Sequence, residues 1–366
     1  MPRRFMVYGA TGYTGRLIAR AARERRLQPI LAGRDVAKLR DLAASLGFEF
    51  RAVRLDEPQR LSEALRDVEV VLNVAGPFSA TARPMVDACL RTHTHYLDVT
   101  GELPVFEELE RYDAAARSRN VMVMPGVGFV VVATDCLAAH VARRLPGAQR
   151  LAIGVSRTTH LSRGSARTIV EAWSNLVYVR RQGRLLPTPV GSLEREFDYD
   201  AGPRLSAAVS WPDVITAFRN TGIPNIAAYL EVNRAERAML RLNPFFGWLA
   251  HSESRRLLRL QADLLPDGPS DQVRQTHGRV VVAEAEDAEG TRVGCRLHTP
   301  ESYTFTCAAA LGIVDKIQQG EFVPGFQTPA AVYGADFPLQ LGGVRREEIP
   351  GATQRNCASS ALASRS

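Results

Sequence analysis

A glycine-rich turn near the start of the chain constrains the fold more than any other feature. Gly9, Gly12 and Gly15 recur at three-residue intervals between a short apolar run, Phe5–Tyr8, and a helical pattern that extends to Arg26. This order predicts a β-strand, a tight turn and an α-helix. Exposed N–H groups and the positive end of the helix dipole would then bind a pyrophosphate. The context favours a dinucleotide-binding domain over a glycine turn that binds nothing.

The residue at the tip of the second predicted strand indicates which dinucleotide is bound. Strand 29–32 leads into Gly33, Arg34 and Asp35. In Rossmann folds an acid at this tip binds a ribose 2′-hydroxyl, and an arginine accommodates a 2′-phosphate. Arg34 therefore favours NADP over NAD, although a solvated Arg34 beside Asp35 as a helix N-cap would give the same pattern. Asp56, after the third predicted strand, is expected on the adenine side.

Strand and helix patterns alternate as far as residue 144 and predict an α/β fold, a doubly wound parallel sheet of the Rossmann type. Small residues follow the fourth strand, so the ribose and nicotinamide would lie across its exit. The predicted strands are residues 5–8, 29–32, 50–54, 68–74, 95–99 and 121–124. The cofactor contacts predicted in the glycine turn and at the fourth exit are Gly9, Thr11, Gly12, Tyr13, Thr14, Gly15, Ala75, Gly76, Pro77 and Phe78.

The patterns beyond residue 145 change and predict a second, α+β domain. Helices are expected over 162–182 and 234–265, and an irregular, proline-rich stretch over 185–200. A last helix over 303–319 is expected to pack back on the first domain. The strands predicted in this part are residues 151–156, 226–232, 278–286 and 292–298, with the last two forming a hairpin.

These patterns divide the chain into four predicted parts. Residues 1–145 form the dinucleotide-binding domain, and residues 146–302 form an α+β domain for substrate binding or dimerisation. Residues 303–350 return to the nucleotide domain, and residues 351–366 are small, polar and expected to be disordered. We expect a homodimer.

Composition argues against several classes of protein. The formal net charge is +7, but the arginines are scattered rather than grouped with aromatic residues, which argues against nucleic-acid binding. The five cysteines lack CxxC spacing, and no metal site is predicted. Because no apolar run is long enough to cross a bilayer and no secretory signal is present, we expect a cytoplasmic protein. The apolar segment 244–250, flanked by arginines, leaves lipid contact as an alternative to burial.

Candidate proton donors lie around the exit of the fifth predicted strand. Hydride transfer requires positioning and a proton source or sink, and Asp98, Tyr96 and Glu102 are the catalytic candidates. If Asp98 and Glu102 approach each other, their repulsion would raise the pKa of one of them. Asp98 could equally be a structural carboxylate that accepts loop N–H bonds. Glu102 could stabilise a helix start through the dipole, and strand alternation could bury Tyr96.

Segments spread over nearly the whole chain resemble the saccharopine dehydrogenase-like family of NADP-binding reductases. They are GATGYTG (9–15), AGRD (32–35), NVAGPF (73–78), HYLDVTGE (95–102), PGVGFVVVATDCLA (125–138), SRGSARTIVE (162–171) and PGFQTPA (324–330). The chain looks most similar to the shorter bacterial branch that includes trans-acting enoyl reductases. The resemblance implies a Rossmann domain and an α+β domain, with NADP between them.

The function implied by the resemblance is an NADPH-dependent oxidoreductase that reduces an activated C=C or C=N bond of a small-molecule or acyl substrate. The enoyl version is preferred on the resemblance alone. Relatives commonly carry an acid and a proline where this chain has Val130 and Ala133. This departure favours an alternative, a non-catalytic NADP-binding sensor or assembly partner. An amino-acid dehydrogenase of the saccharopine type is a further alternative.

Overall fold

The computed structural model describes residues 4–157, 162–164, 176–242 and 266–349. The first domain contains parallel strands joined by helices, as predicted. Its first six strands are β1 (Phe5–Tyr8), β2 (Ile30–Gly33), β3 (Glu49–Ala52), β4 (Val70–Asn73), β5 (His95–Asp98) and β6 (Met122–Met124). Their spatial order is β6-β5-β4-β1-β2-β3, so the carboxyl ends of all six lie at one edge of the sheet.

The helices of the first domain follow the strands in turn. Helix α2 (Val36–Leu46) begins where the Asp35 carboxylate accepts the Lys38 N–H at 3.1 Å, as an N-cap does. The helices are α1 (Tyr13–Glu24), α2 (Val36–Leu46), α3 (Pro58–Leu65), α4 (Phe78–Thr92), α5 (Leu103–Glu110) and α6 (Asp113–Ser118).

Helix α7 (Phe129–Arg144) connects the two domains. It starts directly after the exit of β6 and packs beneath the second sheet. Its buried residues run from Phe129 to Ala138 almost without interruption. A helix that is apolar around most of its circumference is expected to be enclosed by protein. Helix α7 therefore fixes the exit of β6 relative to the second domain.

The second domain is built on a mixed, nine-stranded sheet. The predicted hairpin is confirmed, because β13 and β14 pair antiparallel along their whole length. Strands β7 and β12 pair in parallel, with Leu151 and Ile153 on one face and Ala152 on the other. The strands are β7 (Arg150–Val155), β8 (Leu176–Arg181), β9 (Arg184–Pro189), β10 (Glu194–Asp198), β11 (Pro203–Val209), β12 (Asn225–Glu231), β13 (Arg279–Glu286) and β14 (Arg292–Thr299).

Two predictions for this domain are wrong. Residues 176–181 form β8 rather than the end of a helix, and the stretch 185–200 contains β9 and β10 rather than irregular structure. Gln182 and Gly183, between β8 and β9, both have positive φ (49° and 75°), as a two-residue hairpin turn requires. Prolines are tolerated in β9 because, among the described strands, it pairs with β8 alone. The glycine-containing dipeptide was the signal that the sequence analysis missed.

The C-terminal segment contributes to both sheets. Helix α11 packs against α1 and α7, as predicted. Strand β15 pairs in parallel with β6, so the first sheet has seven strands rather than the predicted six. Strand β16 pairs instead with β14 of the second sheet. The remaining elements are α8 (Asp213–Thr221), α9 (Arg234–Leu242), α10 (Asp271–Thr276), α11 (Ser302–Gln318), β15 (Gly325–Phe326), α12 (Pro329–Tyr333) and β16 (Arg345–Glu348).

Among the described helices, none combines the length and the apolar character needed to span a membrane. The predictions for the apolar segment 244–250 and for the tail 351–366 lie outside the described residues, as does most of the helix predicted over 162–182.

Candidate cofactor site

The glycine turn has the close packing that a dinucleotide site requires. Gly9 has φ +87°, and a Cβ added there would lie 2.8 Å from the Ala75 backbone nitrogen at the exit of β4. A Cβ on Gly15 would lie 2.4 Å from the Gly9 carbonyl oxygen, so only glycine lets α1 approach the turn this closely. Gly12 is exposed, which leaves its backbone open to a ligand.

The start of α1 offers backbone donors to an anion. The Arg16 N–H makes the first intrahelical bond, to the Gly12 carbonyl at 2.9 Å. The N–H groups of residues 13–15 come before it, and such groups at a helix start lack an intrahelical acceptor. Thr11 and Thr14 are half-buried beside them. These groups fit a pyrophosphate, because the helix dipole adds positive potential at the same point.

The exits of β2 and β3 carry two arginines. Arg34 is exposed, and none of the described residues makes a hydrogen bond or ion pair with its guanidinium. Asp56 is held by Arg54 in a two-bond ion pair of 2.9 and 2.7 Å, so its carboxylate is already paired. Burial raises the pKa of Tyr8 to about 12, and the charges of Arg34 and Arg54 act against this rise. Arg54 is a second cation at this edge that the sequence analysis did not identify.

The loop after β4 lies beside the glycine turn. Ala75, Pro77 and Phe78 are half-buried, and Gly76 is exposed. The Glu102 carboxylate accepts the N–H groups of Phe78 at 2.9 Å and Ser79 at 3.0 Å. Glu102 therefore stabilises the start of α4, where a negative charge is favoured by the helix dipole. The helix start that the Glu102 carboxylate stabilises is therefore that of α4, and not that of α5, which directly follows Glu102 in the chain.

Asp98 and Tyr96 form a closed hydrogen-bond network at the exit of β5. The Tyr96 hydroxyl donates to Asp98 Oδ2 at 2.7 Å and accepts from the Asn73 amide at 3.3 Å. Asp98 Oδ1 accepts the N–H groups of Thr100 and Gly126, both at 2.9 Å. Asp98 thus joins the exit loops of β5 and β6, as the structural alternative expected.

Burial raises the pKa of Asp98 to about 6, and the charge of Glu102 adds to the rise. The repulsion between the two acids thus contributes to the pKa of Asp98, but burial is the larger cause. Asp98 and Tyr96 are both fully buried. The catalytic role of Asp98, Tyr96 and Glu102 stays a prediction.

The family of the first domain follows from a comparison with protein-family models. Residues 5–124 match the model described as the saccharopine dehydrogenase NADP binding domain. The matched residues include the glycine turn, Arg34 and the exits of β4 and β5. This region is therefore similar to saccharopine dehydrogenase NADP-binding domains. Its cofactor is NADP. The open Gly12 backbone and Arg34, whose guanidinium pairs with none of the described residues, fit the pyrophosphate and the 2′-phosphate of that cofactor.

Curated relatives match a little over a third of the chain. A trans-acting enoyl reductase of Mycobacterium leprae is 33% identical over 150 residues, which cover 38% of this chain and 35% of that protein. A saccharopine dehydrogenase-like oxidoreductase of Mus musculus is 30% identical over 155 residues, which cover 37% of this chain and 36% of that protein. The matches thus span about a third of the length of each relative.

A solved structure extends the comparison to the second domain. The apo saccharopine dehydrogenase (L-Glu forming) of Saccharomyces cerevisiae superimposes with a TM-score of 0.65, covering 95% of this chain and 100% of that one. The sequence identity is 10%, so this likeness concerns the fold alone. It confirms the predicted arrangement of a Rossmann-type sheet with a second α+β domain.

The NADP-binding domain is tied to the second domain beside the glycine turn. The Tyr13 hydroxyl donates to the Pro269 carbonyl at 2.5 Å, and its ring packs edge-on against Tyr303 with centroids 5.1 Å apart. Arg16 forms an ion pair with Asp267 at 2.6 Å. The side chain of Tyr13 therefore contacts the second domain, because residues 266–270 lie against it. Its contact with the cofactor stays a prediction.

Val130, which stands where relatives commonly carry an acid, lies at the candidate site. Val130 is half-buried, and a Cβ on Gly101 would lie 3.5 Å from its Cγ1 atom. Gly101 follows the exit of β5, so an acid in place of Val130 would face this edge of the sheet. Ala133 is buried within α7. The departure therefore replaces a potential polar group at the site with an apolar one.

Two buried acids, Asp135 on α7 and Asp213 at the start of α8, interact electrostatically, which the sequence analysis did not predict. Asp135 accepts the Asn220 amide at 2.6 Å and the Ala330 N–H at 3.1 Å. Asp213, at the start of α8, has no hydrogen-bond partner for either carboxylate oxygen within the described chain. Burial raises the pKa of Asp135 to about 6 and that of Asp213 to about 7.

Among the described residues, two groups of potential metal ligands lie around β14 and β16, with His140 contributed by α7 and Asp200 by the turn after β10. Arg144 forms an ion pair with Glu348 in the first group, and Arg345 forms one with Glu347 at 3.0 Å in the second. Positive charge at both places opposes a cation, so we assign no metal to either. The groups are His140, Cys295 and Glu348, and Asp200, His298 and Glu347.

Proposed function

We propose that this protein is an NADPH-dependent oxidoreductase that reduces the C=C bond of an α,β-unsaturated acyl substrate. The observation that carries the proposal is the NADP-binding domain itself, with an open glycine turn and an unpaired Arg34. NADPH, when bound, would supply the hydride. The enoyl reductase relatives support a conjugated C=C substrate over a C=N substrate.

The chain's own residues would position the two reactants. Residues 13–15 and Arg34 would hold the cofactor phosphates, and the loop after β4 would support the nicotinamide. The Asp98 and Tyr96 side chains are already hydrogen-bonded to each other and to the exit loops, so they would act by fixing the exits of β5 and β6 rather than by touching the substrate. A solvent molecule would then be the proton source.

A binding titration followed by a turnover assay tests the proposal. NADPH fluorescence is expected to reveal tight binding that Arg34→Ala weakens about 10- to 100-fold, because charged hydrogen bonds to the 2′-phosphate are lost. NADH, which lacks that phosphate, should bind weakly to both proteins. Arg40→Ala, an exposed arginine on α2, is the matched control.

Enoyl thioesters and imines are then screened for NADPH consumption. Equal binding of NADPH and NADH to wild type and Arg34→Ala would contradict the assignment of the 2′-phosphate. NADPH binding without turnover of any enoyl substrate would contradict the enzyme proposal.

A second candidate is a non-catalytic NADP-binding sensor or assembly partner. The surroundings of the three predicted proton donors favour this candidate. Asp98 and Tyr96 are buried, and the Glu102 carboxylate already accepts two backbone N–H groups. The apolar Val130 at the site points the same way. Turnover of an enoyl substrate would exclude this candidate. Homodimerisation stays a prediction, for which light scattering on the purified chain is the test.

A further inference from the structure

One buried cation in the second domain has no partner for most of its donors. Arg279, the first residue of β13, is only 6% exposed. Its Nη2 group donates to the Ser156 carbonyl. Within the described chain, its Nε and Nη1 groups have no hydrogen-bond acceptor. Buried polar atoms in proteins are nearly always bonded, so these N–H groups require an explanation.

Arg279 lies close to the candidate site. Its guanidinium carbon is 5.5 Å from the centroid of the Phe129 ring. Phe129 begins α7 directly after β6, and its N–H donates to the Thr306 hydroxyl at 3.1 Å. The preceding residue, Gly128, lies against Val99 at the exit of β5. One aromatic ring thus separates Arg279 from the edge of the sheet where ligands of such folds bind.

Acidic side chains attract the positive charge of Arg279, but none of the described ones forms an ion pair with it. Glu301 and Glu231 attract it electrostatically, but neither forms an ion pair with it. The Glu301 carboxylate is engaged at the start of α11, where it accepts the Tyr303 N–H at 2.9 Å. Burial lowers the pKa of Arg279 to about 10, so the group remains charged at neutral pH. An unpaired buried charge destabilises a fold, which argues that it serves a ligand.

We propose that Arg279 binds the carbonyl oxygen of the acyl substrate through Nε and Nη1. This inference rests on the proposed function and specifies how the site recognises its substrate. Hydride addition at the β-carbon of a conjugated acyl group shifts the C=C electron pair toward the carbonyl oxygen, which becomes an enolate oxygen. The α-carbon then takes a proton from water, and the carbonyl is restored. A desolvated guanidinium stabilises the oxygen most strongly while it is negatively charged.

The test uses crotonate, an unsaturated carboxylate, as a probe of the oxygen site. Isothermal titration with the NADP⁺-saturated protein is expected to detect crotonate binding and little binding of crotyl alcohol, which lacks the carbonyl oxygen. Arg279→Met is expected to weaken crotonate at least tenfold, because charged hydrogen bonds are lost. Arg279→Lys should retain part of the affinity. NADPH binding should be unchanged in both variants.

Arg296 provides a matched control on the neighbouring strand β14. It is also 6% exposed, but its guanidinium forms an ion pair with Asp198 at 2.6 Å. Arg296→Met should therefore lower the melting temperature and leave crotonate binding intact, because it removes a paired charge away from the site. Arg279→Met should leave the melting temperature unchanged or raise it, because this substitution removes a buried charge that has no ion-pair partner among the described residues.

A purely structural Arg279 would show the opposite pattern. Lower thermal stability of Arg279→Met with unchanged crotonate affinity would overturn the inference, as would failure of wild-type protein to bind crotonate while it binds NADPH. Arg279-dependent crotonate binding without enoyl turnover would instead overturn the proposed function and leave the oxygen-binding role intact. Failure to bind NADPH would contradict the cofactor assignment.

Discussion

Asparagine in place of Asp213 is expected to raise the free energy of unfolding at pH 8. The Asp213 carboxyl group is fully buried, and its oxygens have no hydrogen-bond partner among the described residues. Burial raises its pKa to about 7, and the negative charge of Asp135 adds to the rise. At pH 8 the wild-type protein must therefore hold a largely ionised carboxylate in an apolar interior, which asparagine avoids.

The size of the effect follows from the shift in pKa. An unfolded aspartate has a pKa of about 4, and each unit of difference corresponds to about 1.4 kcal/mol, so the shift to about 7 amounts to roughly 4 kcal/mol. Because the folded pKa is raised, the stabilisation of the protonated form is complete below pH 4 and is lost as the pH rises through 7. The asparagine amide brings unpaired donors that cost about 1–3 kcal/mol. The expected net gain at pH 8 is therefore about 1–3 kcal/mol.

Urea unfolding at pH 5 and pH 8, followed by tryptophan fluorescence, measures this effect. The difference in unfolding free energy between Asp213→Asn and wild type should be larger at pH 8 than at pH 5. Asp41→Asn, an exposed residue on α2, is the control and should change stability little at either pH. An equal difference at the two pH values would refute the reasoning, because it would show that Asp213 titrates as it does in the unfolded chain.

Two further predictions concern the cofactor site. Gly15→Ala places a Cβ 2.4 Å from the Gly9 carbonyl oxygen, so α1 must shift. We expect the free energy of unfolding in urea to fall by about 1–3 kcal/mol, and NADPH to bind more weakly in a fluorescence titration. Unchanged NADPH affinity would show that the turn does not bind the pyrophosphate. Glu102→Ala removes the acceptor for the N–H groups of Phe78 and Ser79 and should cost about 1–2 kcal/mol, with partial recovery in Glu102→Gln. A drop of about 100-fold or more in NADPH turnover at unchanged stability in both variants would indicate a proton donor instead.

The spacing of neighbouring residues was enough to predict the first domain. Gly9, Gly12 and Gly15 identified β1, the turn and α1, because the shape of a tight turn depends on residues that are contiguous in the chain. The N-cap of α2 was predicted for the same reason, since Asp35 binds a backbone N–H only three residues ahead. The same logic placed Arg34 at the strand tip, where the structure has it.

Spacing was insufficient where a partner comes from a distant segment. Sequence analysis placed Asp98 and Glu102 correctly at the exit of β5. The spacing of residues did not predict that the Gly126 N–H donates to Asp98. It also did not predict that the Glu102 carboxylate stabilises the start of α4. The hairpin of β8 and β9 was missed because β9 carries prolines, which only an edge position in the finished sheet makes acceptable.

The sequence by itself determined the Rossmann-type domain, its glycine turn and its preference for NADP. Only the tertiary structure decided that Tyr13 contacts the second domain, that Asp135 and Asp213 share one buried region, and that Arg279 is left with unpaired donors beside Phe129. The physical reason is the range of the interactions. Backbone shape is set by neighbouring residues, whereas burial and the charge state of a side chain depend on segments that meet only when the chain is folded.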